Sequence, residues 1–282
     1  MKHLFHIFSI IALTIIFSTN IYAQKEKYEI RYDTITVEKT KTIRLITVRT
    51  VPVFILQLNG SFNSGALDLQ AHNGGFSKSD FINGKTFGAR VGFGANLTGK
   101  LRLHKRGNFW LNVVTGFCGF KSDFFADKSE EGAVVYNQFS GGVGMDYFFT
   151  PADKVKYFIG GNVLVSMIYG KASIPYDITI YDPIRYREVK INNAYRLGYS
   201  LYAGLEYAFD KNFGLNFGFK FTHANLLLKK TEIPTSDNEA SLNDDSADQP
   251  VLYGGWKQFA YSSVFAGISY YFGVKEKRYK LP

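Results

Sequence analysis

Six ionised side chains, Arg90, Asp146, Lys156, Arg196, Glu206 and Lys220, stand in stretches where apolar residues alternate with small or polar ones, each on the polar phase. A two-residue period puts that phase on one face of an extended strand. Ions of both signs facing a common interior can pair as a plug or line a gate for charged solutes. A second group of oxygens, Asp237, Glu239, Asp244, Asp245 and Asp248, falls within 232–249. They could bind calcium, but the EF-hand spacing is missing, so the stretch reads as a solvated, mobile acidic loop. The pattern calls for no cofactor and no catalytic residue.

The elements that would position these charges are strands. The clearest is 87–97, where Phe87, Ala89, Val91, Phe93, Ala95 and Leu97 alternate with Gly88, Arg90, Gly92, Gly94 and Asn96. Similar segments run at 53–62, 109–120, 137–149, 155–169, 194–209, 213–223 and 259–272. Short links at 104–108, 150–154 and 210–212 alternate with long ones at 63–85, 121–136, 170–193 and 224–258, as in a membrane barrel with tight turns on one rim. In 194–209 the outward face holds Tyr195, Leu197, Tyr199, Leu201, Ala203, Leu205, Tyr207 and Phe209 without a charge. The opposite face holds Arg196, Gly198, Ser200, Tyr202, Gly204, Glu206 and Ala208. A water-soluble calyx would reverse this, with polar residues outside. Rings at Phe109, Trp110, Phe148, Phe149, Tyr157, Phe158, Phe213 and Tyr270 to Phe272 are expected to form a belt at the short-turn rim. Tyr169, Tyr195, Phe221, Phe259 and Tyr261 are candidates for the opposite belt.

Composition agrees with a sheet protein: 17% of the 282 residues are aromatic and 27 are Gly. The single cysteine, Cys118, permits no intrachain disulfide. Residues 1–23, with Lys2, an apolar run over 4–17 and Ala23 at the expected cut, read as a secretory signal peptide. Residues 24–52 are charged and threonine-rich and are expected to be a periplasmic linker, with an edge strand as the alternative. Residues 274–282 are expected to be a basic periplasmic tail. A net charge of +9 in an exported chain points to anionic lipid headgroups as partner, not to nucleic acid. The turn residues Lys100, Arg102, His104, Lys105 and Arg106 are expected to share that role.

The run Gly141 to Tyr147, the turn Pro151 to Lys154 leading into Tyr157 to Gly161, and the closing Gly267 to Gly273 resemble the small outer-membrane β-barrel domains of Gram-negative bacteria, including the outer-membrane-protein-A-like barrels. The resemblance implies an all-β, eight-stranded antiparallel transmembrane up-and-down barrel over 53–273, with short periplasmic turns and long extracellular loops. It implies that Gly267, Tyr270 and Phe272 form an assembly signal for the barrel assembly machinery and that the protein resides in the outer membrane. His223, followed by Ala224 and Asn225, is similar to part of the His-x-Ser-Asn stretch of the lipid A deacylase barrels. Asn225 stands where that stretch has its serine, and a nucleophile needs a hydroxyl beside its base. The expected role is therefore non-enzymatic: envelope integrity, or surface contact with an extracellular partner through the long loops. A small passive porin is the alternative.

Overall fold

Alternation of apolar and polar residues builds strands with two unlike faces, and closure of those strands on themselves satisfies every edge. The computed structural model describes residues 32–35, 43–70, 86–123, 133–176, 185–229, 236, 238–242, 244 and 257–281. The stretch expected to be a signal peptide, 1–23, lies outside them. Two units are formed, one of Thr50–Lys275 and one of Met1–Arg49 with Glu276–Pro282.

The larger unit is a closed antiparallel barrel of eight strands: β3 (Phe54–Ala66), β4 (Val91–Arg102), β5 (Phe109–Asp123), β6 (Ala133–Phe148), β7 (Val155–Tyr176), β8 (Arg185–Ala208), β9 (Phe213–Leu227) and β11 (Ala260–Phe272). Consecutive barrel strands pair, and β11 closes the ring on β3 from Ala260↔Ala66 to Phe272↔Phe54. The first strand therefore begins, and the last ends, at the short-turn rim. A two-residue strand, β10 (Glu239–Ala240), adds in parallel to β8 at Lys190 and Ile191. In the smaller unit β1 (Tyr32–Ile35), β2 (Ile43–Arg49) and β12 (Glu276–Leu281) form an antiparallel sheet in the order β1-β2-β12. The stretches expected as linker and tail thus contribute strands, with Arg49 Nε 2.9 Å from Glu276 Oε1.

The outer wall is apolar: Leu58, Phe93, Val143, Val163, Leu201, Phe219 and Val264 are exposed, Phe93 at 70%. The inner wall is narrow and built largely from small and polar side chains. Gly267 shows why, because a Cβ there would overlap Asn59 Oδ1 and the Leu58 carbonyl.

Strand bounds depart from the expected ones at the long-loop rim. The ladder between β7 and β8 continues past a register shift at Ile168/Gly170 up to Tyr176↔Arg185. Parity on β8 changes there, so Val189 and Ile191 are buried on the long-loop side of the shift and Ala194 and Arg196 on the mid-barrel side. The strand expected from residue 87 starts only at Val91. Gly88 takes φ +69, and the Phe87 and Ala89 amides donate to the Asp68 and Leu69 carbonyls instead of to a barrel neighbour. Phe87 and Ala89, expected outside, are consequently buried.

Candidate functional site

The lumen is layered, and the layers follow from side-chain size. At the short-turn rim Ile55, Trp110, Phe148, Phe158, Phe265 and Tyr271 pack into an apolar layer. Trp110 satisfies its indole by donating from Nε1 to the Gly107 carbonyl at 2.6 Å. Trp110, Phe148, Phe158 and Tyr271 were expected in the outer belt and instead point inward. The belt itself is a chain of outward rings, Phe209, Phe213, Tyr270, Phe272 and Phe54, with successive centroids 4.6–6.4 Å apart. Tyr270 and Phe272 of the expected assembly signal thus face outward, while Gly267 faces the lumen.

Next to the apolar layer lie two ion pairs. Lys156 and Glu206 are direct cross-strand partners, with Nζ 2.9 Å from Oε1. Gln57 Nε2 and Ser269 Oγ donate to Glu206 Oε2 at 2.8 and 3.0 Å. Lys100 Nζ lies 2.6 Å from Asp146 Oδ2. Asn112 Nδ2 donates to Asp146 Oδ1 at 2.7 Å, and the Tyr202 hydroxyl donates to the same oxygen. Both ammonium groups also lie over aromatic faces, Lys100 4.6 Å from the Phe158 centroid and Lys156 4.1 Å from Tyr271. Lys100, read from the sequence as a turn cation for lipid headgroups, is 2% exposed inside the barrel. Its even position relative to Gly92, Gly94, Asn96 and Thr98 was the signal that could have found it.

Above these pairs is a polar cavity of about 60 Å³, whose walls include Asn59, Ser61, Asn63, Cys118, Lys220 and Thr222. The Cys118 thiol donates to Gln138 Oε1 at 3.5 Å.

The long-loop rim is closed by a second apolar layer that includes Leu69, Phe87, Phe120, Tyr136, Ile168, Leu242, Phe259 and Tyr261. Phe259 and Tyr261, candidates for the outer belt, are therefore interior. Over this layer β10 lies against β8, with the Lys190 amide donating to the Asn238 carbonyl at 2.9 Å. Asp244, four residues beyond β10, is fully buried and accepts a bidentate pair from Arg196 Nε and Nη2, both at 2.8 Å. Asn225 Nδ2 donates to the same carboxylate at 2.8 Å, and Asn225 Oδ1 receives the Phe259 amide at 2.6 Å. Burial lowers the Lys257 ammonium to about 8, while Asp244 and Asp68 act in the opposite sense. Among the described residues no group of metal-ligating side chains forms. Asp237, Asp245 and Asp248 lie outside those residues; Asp244, expected in a solvated loop, is a structural ligand of the barrel.

Of the six charges singled out in the sequence, Asp146, Lys156, Arg196, Glu206 and Lys220 line the lumen. Arg90 does not: its side chain is exposed just before β4, where its carbonyl still accepts the Gly65 amide of β3 and Gly88 turns the chain ahead of it. His223 is buried against Tyr199 at 5.7 Å between centroids, and its Nε2 has no hydrogen-bond partner among the described residues.

No family model and no curated protein matches the chain. Among solved structures, Neisserial surface protein A is 14% identical with a TM-score of 0.39, covering 78% of this chain and 97% of that one. OprG from Pseudomonas aeruginosa is 10% identical at 0.41, covering 82% and 97%. Ail, the attachment invasion locus protein of Yersinia pestis, is 10% identical at 0.33 in its complex with the heparin analogue sucrose octasulfate, covering 82% and 98%. At such scores the likeness is one of general form. The strand register itself carries the fold, a closed eight-stranded antiparallel barrel.

Proposed function

We propose that the chain is an integral outer-membrane barrel without enzymatic activity, exported by its N-terminal segment, that serves envelope integrity or surface contact through the loops of its long-loop rim. The observation that carries this reading is a lumen closed by apolar layers near both rims with paired charges between them. Side chains fill most of an eight-stranded interior, and here the bulky ones sit where a solute would enter. The apolar outer wall suits lipid hydrocarbon, the ring belt suits the headgroup boundary, and the outward Tyr270 and Phe272 suit reading by the assembly machinery. An extracellular partner would meet the loops, whose described part is held down at β10 and Asp244.

A small passive porin is the second reading, favoured by the polar cavity alone. Planar-bilayer recording of the purified protein separates the two. The closed-lumen reading expects no sustained conductance, and stable solute-sized channels whose selectivity reverses with Glu206→Lys would overturn it. Deacylase activity would change the acyl pattern of lipid A on expression; an unchanged pattern by mass spectrometry is expected.

A further inference from the structure

We infer that the lumen cavity holds one small monovalent anion, chloride under ordinary conditions, bound by Lys220 and Asn63 on the cavity wall, with Ser263 between them in the strand row. Lys100, Lys156 and Arg196 each have a carboxylate oxygen within 2.9 Å, whereas Lys220 has neither an ion-pair nor a hydrogen-bond partner among the described residues. The Lys220 side chain is half-buried on the wall of the lumen cavity, where an anion taken from solution would be its counter-charge.

The neighbours of Lys220 suit the role. Ser263 is its direct cross-strand partner on β11, and Asn63 is the partner of Ser263 on β3, so the three form one row across adjacent strands. Directly opposed side chains on such a row start about 4.5–5.5 Å apart at Cβ. Ser263 and Asn63 are each 1% exposed, and Ser263 Oγ and Asn63 Nδ2 have no hydrogen-bond partner among the described residues. Both are neutral groups able to donate. The Cys118 thiol keeps its proton to donate to Gln138, so it does not supply the missing negative charge. Lys220 and Asn63 both line the cavity of about 60 Å³. One water needs roughly 10–15 Å³ measured this way, which leaves room for a halide and part of its hydration.

The test uses the full chain refolded in detergent and crystallised with bromide replacing chloride. One anomalous bromide peak is expected within hydrogen-bond reach of Lys220 Nζ; a wild-type map without a peak there overturns the proposal. In solution, chloride-35 line broadening should report binding that weakens by at least about tenfold in Lys220→Met, the loss expected for a charge-assisted contact. Equal broadening in a Lys220→Met protein that still shows heat-modifiable gel mobility also overturns it. Should that variant fail to fold, the wild-type bromide map decides alone. The result is independent of whether the barrel conducts.

Discussion

Asp146 illustrates how much a single lumen side chain controls. Its two oxygens take Lys100, Asn112 and Tyr202, so Asp146→Asn leaves an ammonium enclosed without a counter-charge. We expect a loss of about 3–5 kcal/mol in urea unfolding from lipid vesicles, with most of it recovered when Lys100→Met is combined. If the double variant lost as much as the two singles added together, the two residues would not be acting as a pair. Lys257 offers a pH-dependent counterpart outside the strands. Its ammonium titrates near 8 in the folded chain against an ordinary value of 10.5. Between those values the unfolded chain binds the extra proton, so stability rises as pH climbs through that window. NMR of the labelled Lys257 side chain should give a midpoint near 8, and a midpoint at the ordinary value would show the rim to be open to water. The sequence revealed most of the charged lumen residues because parity sorts them. Parity marks Lys100 too, but its place beside a turn suggested an exposed cation; parity could not reveal that Arg90 is exposed, because Gly88 bends the chain locally.

At the scale of elements, β10 and Asp244 form a strap tied to β8 by backbone pairing at Lys190 and Ile191, by the Asn192 side-chain amide donating to Glu239 Oε2 at 3.4 Å and by the Arg196 fork on Asp244. Two paired residues are too few to hold a strand, so the fork should be decisive. Asp244→Ala is expected to speed amide exchange at Lys190 by at least about tenfold while the mid-barrel amides keep their protection. Unchanged exchange at Lys190 would mean that backbone pairing and Leu242 packing suffice. Strand identity was readable because a two-residue period survives over ten or more residues. The strap was not, because Asp244 sits among acidic and small residues that look solvated until Arg196, 48 positions away, is brought to meet it. The inward rings escaped for a related reason: Trp110, Phe148 and Phe158 fall on the phase that is otherwise small and polar, so their size suggested the belt. Strand β12 finds β2 only through long-range pairing that no local pattern announces.

For the whole molecule, conduction is decided by what fills the ends and not by the average polarity of the wall. Alternation predicts a wall and a lumen, whereas whether the lumen is open depends on side chains from several strands meeting at one height. That is why the barrel and its lumen charges were legible in the sequence and the apolar layers near the two rims were not. Closure has a further consequence, for the order of events during synthesis. Every neighbouring barrel pair joins strands that follow one another along the chain except β11 on β3, which unites Phe272 with Phe54. The local hairpins can form as the chain emerges, but the ring stays an open sheet until the last barrel strand arrives. A chain stopped short of residue 260 would therefore present two unsatisfied edges, on β3 and β9, each a template for a second copy. The final thirteen-residue strand converts a sticky ribbon into a self-contained cylinder.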